Sequence, residues 1–350
     1  MKINAVLLIC IVLLSISTCF RIFWNLDASP LERWDEETNK QVVQQTILHK
    51  TFPILVLNNT PFFEKPPLWY SVQIGISKIL GVSVFNLRLV SAISGITIIF
   101  VTVFFSWKLW GNISSIVTWI ILLTSHQLYV NNPENIFATH TFRSADLDAL
   151  FILFLVLSFI CGTVNSHSKK WQIMSGIFAG LSFLVKGPLG LLPFVVGIAV
   201  YRKNKQKTIT YVCSLIISFC VITPWYLWMF LTFGYKFFDV HFIYHLQMRV
   251  LSPIEGHNNS FTYFGLLLTN PKIFPWGIPL IISILWGFFY TKNFADKNFL
   301  IIFILVILFF AIPTVMQTRL SWYILPIYPF AALLLGNIAS KFYREFLSYR

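Results

Sequence analysis

Long apolar runs separated by short polar stretches dominate this chain. Runs at 4–23, 88–108, 113–130, 147–164, 171–185, 187–201, 209–231, 272–290, 298–316 and 321–339 each read as a membrane-spanning helix. An α-helix rises about 1.5 Å per residue and the bilayer hydrocarbon is roughly 30 Å thick, so runs of this length suit lipid rather than a water-soluble core. A further run, 67–84, carries Gln73 and Lys78 among apolar neighbours and reads as an interfacial or re-entrant helix. The predicted fold class is all-α: a polytopic membrane helix bundle of ten spans, with interfacial helices in its outer loops. It forms a single transmembrane domain over residues 1–350.

Charge orients these spans. The basic loops Ser166–Lys170 and Arg202–Lys207, then Lys292 with Lys297, then the tail from Lys341 to Arg350, all fall on one side when 67–84 does not cross. The positive-inside rule makes that side cytoplasmic and places both termini there, in an inner cell membrane. Eleven of the 13 acidic residues then face outwards, with only Asp296 and Glu345 inside. Acids contribute little to orientation, so a carboxylate-rich outer face calls for another cause. Two outer segments are long, 24–87 and 232–271, and long loops on a rigid scaffold are where chemistry concentrates.

Composition narrows the class. The chain is 57% hydrophobic and 11% charged, against about a quarter charged in soluble domains. Its net charge of +13 is explained by the short basic loops, and no soluble segment is large enough for a nucleic-acid module. The five cysteines lie within apolar runs with no disulfide or zinc spacing, and read as packing residues.

Candidate chemistry clusters on the outer face. Trp34-Asp35-Glu36-Glu37 sets adjacent acids near the membrane surface, suited to general-base or metal work or to a solvated helix start. In Glu64-Lys65-Pro66-Pro67-Leu68-Trp69-Tyr70 the prolines hold Lys65 extended, where a cation can neutralise a lipid phosphate. Asp146 and Asp148 sit at the outer mouth of a span, and Lys186, between two short apolar helices, must snorkel or pair with a phosphate or carboxylate. His241, His245 and Arg249 recur at four-residue spacing and share one face of an α-helix, with Glu255 and His257 following. Arg319 begins the last span at headgroup depth. No phosphate loop, Rossmann glycine pattern or nucleophile elbow is present. An outer site lacks cytosolic nucleotides, so no nucleotide cofactor is expected and a membrane-borne donor is the natural energy source.

Asp35-Glu36, the Glu64–Tyr70 run, Arg88-Leu89, Lys186-Gly187-Pro188, Pro224-Trp225-Tyr226 and Tyr323-Ile324-Leu325-Pro326 occur in an order that resembles the aminoarabinose transferase and protein O-mannosyltransferase superfamily, over residues 20 to 330. The resemblance implies a GT-C fold and a glycosyltransferase using a polyprenyl-phosphate sugar. It implies a catalytic carboxylate at Asp35, with Glu36 beside it, and donor-phosphate ligands at Lys65, Arg249 and Tyr323, joined by Lys186 and Arg319. It further implies a divalent metal (Zn, Mg or Mn) held by Glu64 and a later histidine, His245 ahead of His257, and one more acidic position at either Asp146 or Asp148. The implied acceptor is an envelope glycolipid of the lipid A type, or a protein hydroxyl. Family members continue into more spans and a soluble outer domain; no soluble C-terminal domain is expected here. The competing class, a transporter or lipid-binding protein, would place ionisable groups at the bilayer midplane in repeated halves, whereas these acids crowd the outer loops.

Overall fold

A computed structural model describes residues 5–130, 139–164, 168–253, 263, 265, 274–289 and 295–348. Among the described residues, each of the ten expected spans carries a helix. They are α1 (Ala5–Phe23), α4 (Val84–Trp110), α5 (Asn112–Thr124), α6 (Asp148–Val164), α7 (Lys169–Lys186), α8 (Leu192–Tyr201, preceded by a 3-10 turn), α9 (Lys205–Phe233), α12 (Gly277–Phe289), α13 (Lys297–Val315) and α14 (Ile327–Ser348). Four of these segments are long and apolar enough to cross a membrane outright, and the last of them is 89% buried over its apolar window against 22% for α9. The C-terminal helix is therefore central and α9 peripheral. Leu8, Ile9, Val12, Leu13, Ile16 and Phe20 of α1, and Ile216, Phe219, Leu227, Phe230 and Leu231 of α9, are exposed. In water such stripes would drive aggregation; in lipid they are the solvated face.

The run 67–84 resolves into α3 (Leu68–Leu80), too short to cross, which buries Trp69, Tyr70, Gln73, Ile74 and Ser77 along one side. Gly81, at φ 80°, ends it, and Ser83 caps the next helix by accepting from the Asn86 amide at 3.2 Å. That cap starts α4 at Val84, four residues before the expected boundary, and so places Arg88 within its first turns.

Close helix contact rests on small residues. Gly176 and Gly180 of α7 face Ser214 and Ser218 of α9, and a Cβ built at Gly176 would stand 2.5 Å from the Ser214 carbonyl. Such a small-xxx-small seam is how helices approach in lipid, where burial itself gives little drive.

The first outer segment folds as α2 (Asp35–Leu48), a two-stranded antiparallel hairpin (Val56–Leu57 with Thr60–Pro61) and α3. Asn58 and Asn59 at the hairpin tip have φ 50° and 60°, as a type I′ turn demands. One buried ion pair fastens this segment to the bundle. Arg88 is 2% exposed and grips Glu36 by two bonds, Nε to Oε1 at 3.0 Å and Nη2 to Oε2 at 2.8 Å. Its other N–H groups donate to the carbonyls of Leu26, Ser29 and Pro30. Glu36 also accepts from the Ala145 amide at 2.6 Å and the Glu32 amide at 2.8 Å.

Two outcomes are expected from these contacts. Arg88→Met leaves Glu36 charged and buried, a loss of about 3–5 kcal/mol. Thermal unfolding in detergent should show a marked fall in midpoint, much of it recovered when Glu36→Leu is added. Gly176→Leu overpacks the α7–α9 seam, at a cost of about 1–3 kcal/mol, read by the same melt.

Candidate active site

Pinning Glu36 decides where its neighbour points. Consecutive helical residues do not share a face, so Asp35 turns away from Arg88 towards the cleft under α3. There its Oδ1 accepts from the Lys65 ammonium at 2.8 Å and its Oδ2 meets His140 Nε2 at 3.2 Å. Asn39, one turn on and therefore on the same side as Asp35, ties the cleft together. Its Oδ1 accepts from the Tyr70 hydroxyl at 2.5 Å and from Lys65 at 3.4 Å, and its Nδ2 donates to the Ala145 carbonyl.

The second wall is the turn from Thr139 to Leu147. Asp146 is fully buried and spends its carboxylate on this turn, accepting from the His140 amide, the Ser144 hydroxyl and, at 3.2 Å, the Asp148 amide. Phe142 packs against α4, where a Cβ at Gly95 would fall 2.5 Å from its ring. Arg143 donates to the carbonyls of Trp24 and Asn25 and so fastens the turn to the end of α1. Asp148, at the head of α6, instead faces the cleft, accepting from Lys186 and pairing with His140 Nδ1 at 2.5 Å. The two aspartates thus divide: Asp146 holds the turn and Asp148 holds charge. Lys186 pairs with a carboxylate rather than snorkelling. Gly187, at φ 106°, ends α7 directly behind it, and Pro188 opens the next turn.

His140 is the hub. Its ring is buried and stacks on Trp322, with centroids 4.1 Å apart and planes 9° from parallel. Burial opposes its charge, but Asp148, Asp146 and Asp35 outweigh it and raise the imidazole to about 9. For Asp35, burial likewise opposes the charge, yet Lys65 and His140 hold the carboxyl well below its usual range. Burial pushes Asp146 up to about 6.

A second group lies along the later outer segment. After Gly234 (φ 56°) the chain forms α10 (Tyr235–Phe238), a π-helix over Asp239–Met248 and the short α11 (Arg249–Leu251). Hydrogen bonds to the fifth residue widen the turn, yet residues four apart stay near one face, and His241, His245 and Arg249 are each less exposed than the residues on either side of them. His241 is buried, with Nδ1 on the Phe63 carbonyl at 2.7 Å and Nε2 on the Tyr226 hydroxyl at 3.0 Å. Phe63 itself sits among Met229, Phe237 and Phe233, so the two outer segments touch on one side of the bundle. His245 is half-buried, its pKa pushed down to about 3 by burial and then by Arg249, and it stays neutral in ordinary buffers. Arg249 donates to the Tyr323 hydroxyl at 2.8 Å. The strand of chain before Tyr323 is laced to α11, with Gln317 and Thr318 amides donating to Val250 and Arg249 carbonyls.

Of the residues singled out in the sequence, Asp35, Lys65, Asp148 and Lys186 meet around His140, with Asp146 behind them, while Arg249 and Tyr323 form a separate pair. Glu36, which the resemblance sets beside the catalytic carboxylate, has both its oxygens taken up beneath the helix by Arg88 and the Ala145 and Glu32 amides. Glu64 lies exposed beside Lys65, and Arg319 donates to the Met316 carbonyl at 3.4 Å. His257 and Glu255 lie outside the described residues. Sequence reasoning missed His140, Asn39 and Trp322. Asn39 could have been found from its i+4 spacing to Asp35; His140 has no motif around it.

His140, Asp146 and Asp148 are the group with metal-like spacing among the described residues, their ligand atoms within 4.8 Å of one another. They do not fit a divalent ion as arranged. Asp148 already balances Lys186 and His140, and Asp146 is occupied by three donors.

Residues 64–228 match the family profile described as dolichyl-phosphate-mannose-protein mannosyltransferase. The chain is 27% identical, over 87% of its length, to an undecaprenyl phosphate-alpha-4-amino-4-deoxy-L-arabinose arabinosyl transferase of Wigglesworthia glossinidia brevipalpis, and covers 54% of that protein. Its fold matches the crystal structure of ArnT from Cupriavidus metallidurans bound to undecaprenyl phosphate, with a TM-score of 0.75 at 20% identity, over 94% of this chain and 59% of that one. The archaeal oligosaccharyltransferase AglB from Archaeoglobus fulgidus shares it more loosely, with a TM-score of 0.59 at 13% identity over 99% of this chain and 52% of that one. This chain thus spans little more than half the length of these proteins. Helix order, outer segments and the profile match over residues 64–228 agree: this multi-pass membrane protein has the fold of ArnT and is similar in sequence to aminoarabinose transferases and protein O-mannosyltransferases.

Proposed function

We propose that this protein is a glycosyltransferase that moves one sugar from a polyprenyl-phosphate donor to an envelope glycolipid at the outer face of the membrane. The observation that carries this reading is the Asp35–Lys65 pair at 2.8 Å in the cleft. It sets a carboxylate and a cation side by side, where an acceptor and a departing phosphate must meet. The relatives named for undecaprenyl phosphate support the donor class. The basic loops Lys169-Lys170 and Arg202–Lys207 lie away from the cleft, which favours a cytoplasmic side for them and for both termini.

In this mechanism the acceptor oxygen attacks the anomeric carbon, the bond from that carbon to the phosphate oxygen breaks, and Asp35 takes the acceptor proton. Held by both Lys65 and His140, Asp35 is a weak base. Arrival of the donor phosphate draws the Lys65 ammonium off Asp35 and frees one carboxylate oxygen, so base strength develops only with donor in place. Arg249, steadied by Tyr323, joins Lys65 in stabilising the charge on the leaving phosphate. Glu64 and the neutral His245 are the partial ligand set this reading leaves for a divalent metal, since an imidazole must be unprotonated to ligate. An ion there would brace the outer segments, and no step of transfer runs through it. A protein hydroxyl is the acceptor favoured by the mannosyltransferase profile, with the same chemistry at Asp35.

Comparing envelope glycolipids by mass spectrometry with and without the gene tests the reading: a lost mass increment names sugar and acceptor, and unchanged glycolipids and glycoproteins refute it. Asp35→Asn should lower transfer by at least about 10³-fold, with folding and donor binding retained. Lys65→Met removes a phosphate ligand. Donor KM should rise about tenfold or more, a shift of at least 1.4 kcal/mol, measured by titrating donor at saturating acceptor.

A further inference from the structure

The hub histidine is unassigned by the motif similarity, yet more of the cleft converges on it than on any residue that similarity names. Its Nε2 lies 3.2 Å from an Asp35 oxygen and its Nδ1 2.5 Å from an Asp148 oxygen. A neutral imidazole has one donor and one acceptor nitrogen. With a carboxylate on each side, both nitrogens are called on to donate, so the ring is an imidazolium. Trp322 stacked beneath it, at 4.1 Å, favours that cation. Asp148 is fixed from its other oxygen by Lys186. The backbone is committed too: His140 has φ 61°, and its amide is held by Asp146. A non-glycine residue keeps such a conformation only where its surroundings impose it. Asp35, by contrast, sits at the start of a helix with its carboxylate held by two partners, Lys65, which the proposed mechanism needs to release, and His140.

We propose that His140 is a positioning residue of the transfer site, bridging Asp35 to Asp148 so that the Asp35 carboxylate keeps its orientation when Lys65 leaves for the donor phosphate. This rests on the reading of the cleft as a glycosyltransferase site. The relay runs Lys186, Asp148, His140, Asp35, each member touching the next, with Trp322 as its floor. Without His140 the freed carboxylate would rotate out of line with the acceptor, and the loss would fall on turnover rather than on donor affinity.

The positive φ offers an unusually clean test, because glycine adopts that conformation at no cost. His140→Gly keeps the backbone and opens an imidazole-sized space between Trp322 and the two carboxylates. Purified wild type and variant are assayed with undecaprenyl-phosphate aminoarabinose as donor and lipid A as acceptor. The variant is expected to lose about 100-fold in kcat with donor KM within about twofold, and added imidazole should restore at least tenfold of the loss. His140→Gln, the fallback if the glycine variant does not fold, should show the same loss without rescue. Wild-type turnover in either variant overturns the proposal, as does a loss that imidazole leaves untouched in a well-folded His140→Gly protein. Silence of the wild type itself would count against the proposed function instead. The contact can be read even then: carbodiimide labelling of Asp35 at pH 6, followed by mass spectrometry, should rise several-fold in His140→Gly and fall back with imidazole. Unchanged labelling overturns the bridge.

Discussion

Arg88 brings five N–H donors into a part of the protein that water does not reach, and each must find an acceptor there. Glu36 supplies two, and the carbonyls of the chain between α1 and α2 supply the rest. The pair is therefore less a source of net stability than a fixed reference point, since buried ion pairs roughly break even against apolar packing. What it fixes is geometry. It sets the rotation of α2, brings the Ala145 amide against the same carboxylate, and leaves Asp35 and Asn39 facing the cleft.

The cleft itself is an exercise in charge balance. Asp35, Asp146 and Asp148 would repel if left ionised together at low dielectric. Lys65, His140 and Lys186 are interleaved among them, one cation reaching each cleft-facing carboxylate oxygen. Asp146, with no cation of its own, is the acid that burial pushes up. Arg249, on the later outer segment, donates to the Tyr323 hydroxyl and supplies a second cationic arm.

Much of the architecture was legible in the sequence, for reasons that are local. Hydropathy marks spans because lipid selects every residue along them, and α3 betrayed itself through Gln73 and Lys78. Asp35 and Lys65 stood out because acids beside Trp34 and a lysine held by two prolines are rare in such a chain. What stayed hidden depended on long-range closure. His140 acquires its meaning from residues 105 positions before it and 182 after it, and no spacing rule reaches that far. Glu36 and Asp35 are indistinguishable until Arg88 chooses between them. The π-winding over Asp239–Met248 left no mark in the sequence, although the four-residue spacing of His241, His245 and Arg249 survives it.

One detail of the EKPP segment governs what Lys65 can do. Phe63 before it is wedged among α9 and α10 side chains, with its carbonyl capped by His241. Pro66 and Pro67 after it are buried and lead straight into α3. The main chain at Lys65 is thus a stationary post, and the ammonium travels on its four methylenes alone. An arm of that kind sweeps a short arc quickly, needs no lid or domain closure, and can serve only anions that come to rest within its radius. Under the proposed function, donor recognition at this position becomes a matter of docking depth: a headgroup seated too high or too low in the bilayer lies beyond the arm, whatever sugar it bears.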